Sequence, residues 1–466
     1  MSKYDVVVGL EIHAELNTNT KAFCGCANVF GAAPNTNTCP VCLAMPGALP
    51  VLNRAAVEKT IIAGFAMGCE INDIAIFERK HYFYPDLSKA YQISQLVKPI
   101  CLGGGVKLKS GKFIRLNRIH LEEDAGKLLH NTITGQSMVD YNRGGVPLNE
   151  IVTEPDISSA AEAVELLEEI RSRLIFADVA ECKMEQGGMR CDVNISLKPA
   201  GSKTLGNRAE IKNLNSFKMV ARAIEFEIKR QTDILAAGGK VTMETRRFDD
   251  GSGKTSSMRN KEESQDYRYF PDPDIYAVKI TRADVSRIKE KMPVLAYELK
   301  EKFINEYGLP EHDANVLTRS KEIAHYFMNC VKLLSKPKVI SNWIMTDLLA
   351  RSNDITISPT HLTDIIKMVE DKTFTKTVGL QLLDEVIKSK QSPTELAKKM
   401  GLLATISDDQ ILAILTQLKK DNAKVAQDYA ENPDKVLRFI IGQVMKQTQG
   451  KAKSDVVEKL IPKVFG

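Results

Sequence analysis

Four cysteines, Cys24-x-Cys26 and Cys39-x-x-Cys42, sit in KAFCGCANVFGAAPNTNTCPVCLAMPGALP (residues 21–50), with twelve residues between the two pairs. Two close pairs joined by a loop can gather four thiolates around one tetrahedral zinc ion, and Gly25 and Pro40 suit the tight turns of such a knuckle. Four thiolates complete that ion's shell, so the spacing predicts a structural brace rather than a reaction centre. Burial as small hydrophobes suits the single cysteines Cys69, Cys101, Cys182, Cys191 and Cys330 better than it suits two close pairs.

Carboxylates supply the second chemical signal. In GLEIHAEL, a strand would turn Leu10, Ile12, Ala14 and Leu16 to one side and Glu11, His13 and Glu15 to the other. The same alternation in MRCDVNISL sets Arg190, Asp192, Asn194 and Ser196 opposite Cys191, Val193, Ile195 and Leu197. In NRAEIKN, Arg208, Glu210 and Lys212 share a side. RIHLEEDAGK adds Glu122, Glu123 and Asp124, and KMEQGG adds Glu185. One polar strand face is ordinarily just the wet side of a sheet. Three that each mix acids with Arg, Lys or His point elsewhere: carboxylates and an imidazole without thiols suit a hard cation such as Mg²⁺. Interleaved basic residues would then hold an anion, which suggests a nucleotide phosphate.

DDGSGKTSS contains Gly253-Lys254-Thr255, the tail of a Walker loop, but the required earlier glycine is replaced by Phe248 and no apolar strand leads in. It is read as a decoy.

These residues need a scaffold. A chain of 466 residues with 43% hydrophobic and 26% charged residues is a folded protein of about three domains. No apolar run approaches the roughly 20 residues of a membrane span. MSKYDVVVGLEIH enters a strand pattern at once, leaving no room for a targeting peptide, so a cytoplasmic location is expected. The net charge of +5 permits a polyanionic partner without demanding one. From Arg438 onward, Lys446, Lys451, Lys453, Lys459 and Lys463 outnumber Asp455 and Glu458, which fits RNA contact and a solvated helix face equally well.

Up to about residue 290 the pattern is strand-rich, with helices expected over 157–177 and 215–239. Beyond Pro293 it becomes helical, in ELKEKFINEY, SKEIAHYFMNCVKLL, KVISNWIMTDLLARS, LTDIIKMVED and DQILAILTQLKKDNAKVAQDYA. A further boundary is placed near residue 405. Trp343 reads as a core anchor. His81, His120, His130, His312, His325 and His361 read as structural or exposed.

VGLEIHAEL, RKHYFYPDLSKAYQISQ, RIHLEEDAGK, VDYNRGGVPLNEIVTEPD, MEQGGMRCDVNIS, AEIKNLNSF and MRNKEESQDYRYFPDPD occur in this order between residues 8 and 274. Together they resemble the GatB family, the B subunits of bacterial-type glutamyl/aspartyl-tRNA amidotransferases; SNWIM and GQVMKQTQGKA are weaker echoes. The resemblance implies an α+β chain. Its parts would be a mixed- or antiparallel-sheet cradle domain over 1–292 with the knuckle, a helical domain over 293–405 and a tail domain over 406–466 similar to the YqeY family. It implies ATP-dependent conversion of Glu-tRNA(Gln) or Asp-tRNA(Asn) to the amide through an acyl phosphate. Ammonia would come from a partner amidase (A) subunit, with a small C subunit completing a heterotrimer and mischarged tRNA as the RNA partner. Carried onto this chain, Glu11, His13, Glu123, Glu150, Glu185, Asp192 and Glu210 would be magnesium ligands, and Glu11, His13, Glu123, Asp192 and Glu210 the catalytic set. Arg190, Arg208 and Lys212 would contact phosphate. Lys80, Tyr82 and Lys89 would line the ammonia exit, and Cys24, Cys26, Cys39 and Cys42 would hold structural zinc. At the tail this chain has GKAKSDVV where relatives of the family have GKANP.

A zinc-braced RNA binder and a free-standing metallohydrolase are the competing readings. A passive RNA binder has no use for Glu11, Asp192 and Glu210 in one pocket, and no Ser or Cys nucleophile stands beside a His for the hydrolase.

Overall fold

The period-two pattern of residues 4–15 becomes the centre of a ten-stranded sheet. The computed structural model describes residues 3–131, 134–260, 266–351, 355–402, 407–448, 452 and 454–466. The central strand Tyr4–Glu15 lies between Met189–Pro199 and Pro147–Thr153, antiparallel to both. Outward from the first of these come Ala209–Leu214, Glu244–Asp249 and Lys254–Asn260; outward from the second come Phe113–Glu123 and the short strands Cys101–Leu102 and Glu70–Ile71. Gly105–Lys107 pairs with Phe113–Glu123 off this path. Ala209–Leu214 and Glu244–Asp249 run parallel, so the sheet is mixed and the fold class is α+β.

Leu10, Ile12, Ala14 and Leu16 on the central strand are all buried. Three helices cover the sheet on that side: α1 (Arg54–Ala66), α2 (Ala160–Phe176) and α3 (Phe217–Ala236). Ser159 and Ser216 cap α2 and α3, accepting from the N–H groups of Glu162 and Met219 at 3.1 Å each, and Gly238 follows α3 with positive φ. Both helices therefore stand where residues 157–177 and 215–239 were expected to form them.

α3 is fastened to the sheet edge by charge. Glu227, fully buried, meets Arg230 at 2.8 Å and Arg246 at 3.0 Å, and Gln231 donates to it at 3.1 Å. Gly253-Lys254-Thr255 lies at the hairpin between the two edge strands, opening a strand rather than a helix, so it lacks the geometry of a phosphate loop.

The chain divides into two compact units, Met1–Ala296 and Tyr297–Gly466. The second unit is helical. Its π-helical turn Trp343–Leu348 buries Trp343, and Lys376 lies over that ring at 5.5 Å. Helices Asp408–Asp421, Ala423–Glu431, Pro433–Gln447 and Ser454–Phe465 enclose a core of their own, with Leu415, Ile440, Val444 and Val457 inside. The boundary expected near residue 405, and Lys451 and Lys453 of the basic tail, lie outside the described residues. Among the described residues no helix is long and apolar enough to cross a membrane.

Removing one partner from the α3 network strands buried charge, so Glu227→Gln should cost about 3 kcal/mol or more in denaturant unfolding. Burial alone would raise the Glu227 pKa, but Arg230, Thr255 and Gln231 hold it below its ordinary 4.5. Its contribution is complete above that ordinary value and is lost as the pH falls through the depressed one. The wild-type and Glu227→Gln stabilities should therefore converge in acid.

Candidate functional site

Antiparallel pairing places opposed residues on one face of the sheet. Along the central strand, Gly9 faces Asn194, Glu11 faces Asp192 and His13 faces Arg190; on the other flank His13 faces Glu150, which in turn faces His120. Asn194 also faces Glu210 across the next pair. The face away from the three helices thus collects polar groups from five strands.

They form two adjoining groups. In the first, His13 Nε2 stands 3.5 Å from Glu122 Oε1 and 3.5 Å from Glu150 Oε2. His120, buried, brings its Nε2 within 3.4 Å of Glu150 and 3.6 Å of Glu122. Ser94 donates to Glu122 at 3.2 Å. Burial opposes charge here, yet the two imidazoles hold Glu150 well below the usual carboxylate range. His120 rises to about 9 against the same burial because Glu150 and Glu122 surround it. Lys80 is likewise raised, despite desolvation, by Glu122, Tyr269 and Glu150.

In the second group Glu11, Asp192 and Glu210 each bring an oxygen within 4.8 Å of the others. Lys212 bridges two of them, at 3.1 Å from Asp192 and 2.6 Å from Glu210. Asn194 donates to Glu11 at 2.9 Å, and Thr245 donates to Glu210 at 3.3 Å. Burial first, then Glu150 and the other two acids, raise the Glu11 pKa. A divalent cation would relieve that repulsion, and an oxygen-only set suits a hard ion. The His13 group, an imidazole with two carboxylates, suits the same class of ion.

Beyond His13 the face ends in a network of opposite charges. Asp124 takes both Arg190 nitrogens at 3.1 Å, and Arg143 joins Asp124 at 2.5 Å and Glu15 at 3.2 Å.

The four knuckle sulfurs lie within 4.8 Å of one another, a set that suits a thiophilic ion. A hydrogen bond from Cys24, then the Cys39 N–H and the Lys21 ammonium, bring the Cys42 thiol down to about 4 against burial, while burial pushes Cys26 up to about 11. Lys21 is fully buried, with Nζ 3.8 Å from Cys42 Sγ and 3.4 Å from the Tyr141 carbonyl. Ser88 donates to the Cys42 carbonyl at 2.7 Å. A cavity of about 230 Å³ opens between the knuckle and Lys89, Tyr91 and Glu123.

Of the expected magnesium ligands, Glu11, Asp192 and Glu210 meet in one group and His13 and Glu150 in the other. Glu123 and Glu185 join neither. Glu123 follows Glu122 on one strand, so its side chain turns the other way, held by Lys89 at 2.6 Å and by the Ile93 N–H at 3.0 Å. Glu185 is exposed on the short turn Met184–Gln186. The expected phosphate contacts are dispersed: Arg190 is paired with Asp124, Lys212 bridges acids, and Arg208 lies exposed at the edge of a second cavity. Lys80 sits over the Tyr267 ring at 5.1 Å and Tyr82 packs edge-on to it at 6.1 Å. His120, read as structural or exposed from sequence, is instead inside the first group; Glu122 was named among the acids but not carried into the ligand set, and Arg143 was passed over. Alternation applied to RIHLEED would have put His120 with Glu122; no local signal marked Arg143.

Comparison with known proteins bears on the whole chain. Residues 6–286 match the GatB/GatE catalytic domain, and residues 325–464 match a second family model described as the GatB domain. A Caldicellulosiruptor bescii protein is 46% identical, with 98% of each chain covered. A Brevibacillus brevis protein is 44% identical over 100% of this chain and 99% of its own. One from Trichlorobacter lovleyi is 45% identical, with 98% of each covered. All three are named as B subunits of aspartyl/glutamyl-tRNA(Asn/Gln) amidotransferase.

In metal-free buffer, the His120 ring should titrate near 9 by NMR. Replacing Glu150 with Gln should return it toward its ordinary 6.5, since the raising charge is removed.

Proposed function

The chain belongs to the GatB family of amidotransferase B subunits, and from that premise we propose that its polar sheet face activates the side-chain carboxylate of Glu or Asp esterified to tRNA. The observation that carries this reading is the pair of carboxylate groups at Glu11 and His13, one strand repeat or about 7 Å apart on one face. Two such groups suit a triphosphate and the oxygen that attacks it.

A carboxylate resists ammonia because its leaving group would be oxide. Transfer of the γ-phosphoryl group from ATP to a carboxylate oxygen breaks the β–γ bridge, releases ADP and gives an acyl phosphate. Ammonia then attacks the carbonyl carbon, phosphate departs with the C–O bonding pair, and the amide remains on the tRNA. Catalysis of the first step is positioning and charge neutralisation. Magnesium, when bound, supplies that neutralisation. Glu11, Asp192 and Glu210 would hold one ion, and His13, Glu122 and Glu150 a second. Lys212 and Arg190 serve the anionic reactants, and His120 keeps Glu150 and Glu122 ionised and oriented.

Ammonia would arrive from a partner amidase subunit, with a small third subunit completing the complex. Lys80, Tyr82 and Lys89 would line its exit, joined by Glu123. The knuckle would carry zinc as a brace. The reaction belongs to the cytoplasm, where mischarged tRNA is made.

Assembled with its partners, the chain should cleave ATP only when mischarged tRNA is present. Asp192→Ala should keep tRNA binding and lose acyl-phosphate formation by about a hundredfold or more. Full transamidation by that variant would overturn the assignment. Metal analysis should find about one zinc ion per chain, and Cys39→Ser should lower both the zinc content and the melting temperature. A metal-free chain of normal stability would remove the brace from the scheme.

A further inference from the structure

Among the described residues Lys21 is the one lysine that the fold buries completely. Its Nζ lies 3.0 Å from the Asn37 carbonyl oxygen, 3.4 Å from that of Tyr141 and 3.8 Å from Cys42 Sγ. An ammonium has three protons to donate, and these three acceptors use them all. No carboxylate of the described residues is among its partners. A cation taken out of water without an opposite charge is costly, and carbonyls offer dipoles only. The sulfur cluster is therefore the source of the counter-charge. The need runs both ways: four thiolates around a divalent ion leave excess negative charge, which one buried ammonium partly offsets.

The same lysine joins the knuckle to residues 139–146. Asn35 donates to the Val139 carbonyl at 2.9 Å and accepts from the Tyr141 N–H at 2.8 Å. Asn142 accepts from the Asn37 N–H at 2.8 Å and donates to the Ala33 carbonyl at 2.6 Å. The Ala22 N–H donates to the Gly145 carbonyl at 2.7 Å. Gly145 passes directly over the lysine stem: a Cβ there would stand 3.6 Å from Lys21 Cδ, and its φ of +85° favours glycine. On its far side the segment is tied to the polar face, Gly145 donating to the Asp124 carbonyl at 2.9 Å and Asp124 to that of Val146 at 2.8 Å. Between these ties stands Arg143, whose guanidinium reaches Asp124 and Glu15. Residues 139–146 thus rest on the knuckle and deliver Arg143 to the face.

We propose that Lys21 is the resident counter-charge of the metal-loaded knuckle and the positioning residue through which loading fixes Arg143 against Asp124 and Glu15. The inference rests on the reading that the knuckle carries zinc, and it gives that ion a reach beyond its own loop. With the sulfurs gathered, Lys21 is anchored at Cys42 and its other two hydrogen bonds close Asn37 and Tyr141 around it. With nothing to gather them, the charge facing Lys21 is no longer fixed, and those two hydrogen bonds loosen together. The end of the polar face beyond His13 then loses the support on which Arg143 stands.

The test uses the full-length chain and three readouts: zinc affinity by competition with a chromophoric chelator, thiolate alkylation by iodoacetamide, and amide hydrogen exchange over 139–146. Lys21→Met, similar in length and uncharged, should bind zinc roughly tenfold or more weakly. Its zinc-bound thiolates should also be alkylated faster, since no nearby positive charge damps their nucleophilicity. A lysine that only fills space would change neither. At saturating zinc, exchange over 139–146 should be faster in Lys21→Met than in wild type, with α2 unaffected. Chelating zinc from the wild-type chain should accelerate the same amides, a measurement that stands even if Lys21→Met fails to fold. Asn142→Ala, which cuts the ties but keeps the charge, should loosen 139–146 and retain the wild-type alkylation rate. Unchanged affinity or alkylation in Lys21→Met would overturn the counter-charge. Exchange over 139–146 that ignores both zinc and Lys21 would overturn the link to Arg143. Either result leaves the zinc brace standing, whereas a wild-type chain with no affinity for zinc would overturn the brace and this inference together.

Discussion

Everything on the polar face depends on the two-residue repeat of one strand, Tyr4–Glu15, paired antiparallel on both sides. That pairing fixes which residues of four further strands share a surface with Glu11 and His13. A slip of one residue would send Leu10 and Ile12 to the polar side and bury the acids beneath α1, α2 and α3. The apolar half of the repeat prevents the slip, because Leu10, Ile12, Ala14 and Leu16 would all have to leave the core. The helices that cover the sheet thus hold the polar groups in register without touching them.

Gathering acids on a half-buried surface demands counter-charge, and the basic residues are distributed to supply it. His13 and His120 answer Glu122 and Glu150; Lys212 answers Asp192 and Glu210; Arg143 and Arg190 answer Asp124 and Glu15. Glu11 has the weakest compensation and its proton affinity is raised, which makes it the member of its group with most to gain from a cation. A surface evolved only to grip RNA would present the bases without the acids.

Much of this was legible in the chain. Strand alternation placed Glu11, His13, Asp192 and Glu210 on shared faces, and capping serines with apolar periodicity located α2 and α3 within a few residues. The false phosphate loop at Gly253 was recognisable from its missing glycine. What escaped reading depended on tertiary geometry. Alternation groups Glu122 with His120 and Glu123 with Leu121, but the partners that separate them, His13 for one and Lys89 for the other, come from distant segments. That the acids form two groups rather than one follows from the spacing along the central strand, not from any motif. Arg143 reaches Glu15 from a loop more than a hundred residues away, a distance across which local patterns carry no information.

Lys212 lies across two of the oxygens that a divalent ion would require. On the proposed reading, an ion entering there would evict the ammonium, and the freed arm, still tethered beside the ion, would become a ready partner for incoming phosphate. Filling the acid group and docking an anion would then be thermodynamically linked, each easing the other by the same factor. A single side chain would in this way turn two separate loading events into one concerted one, and a face loaded with neither would keep its acids paired by its own internal salt link.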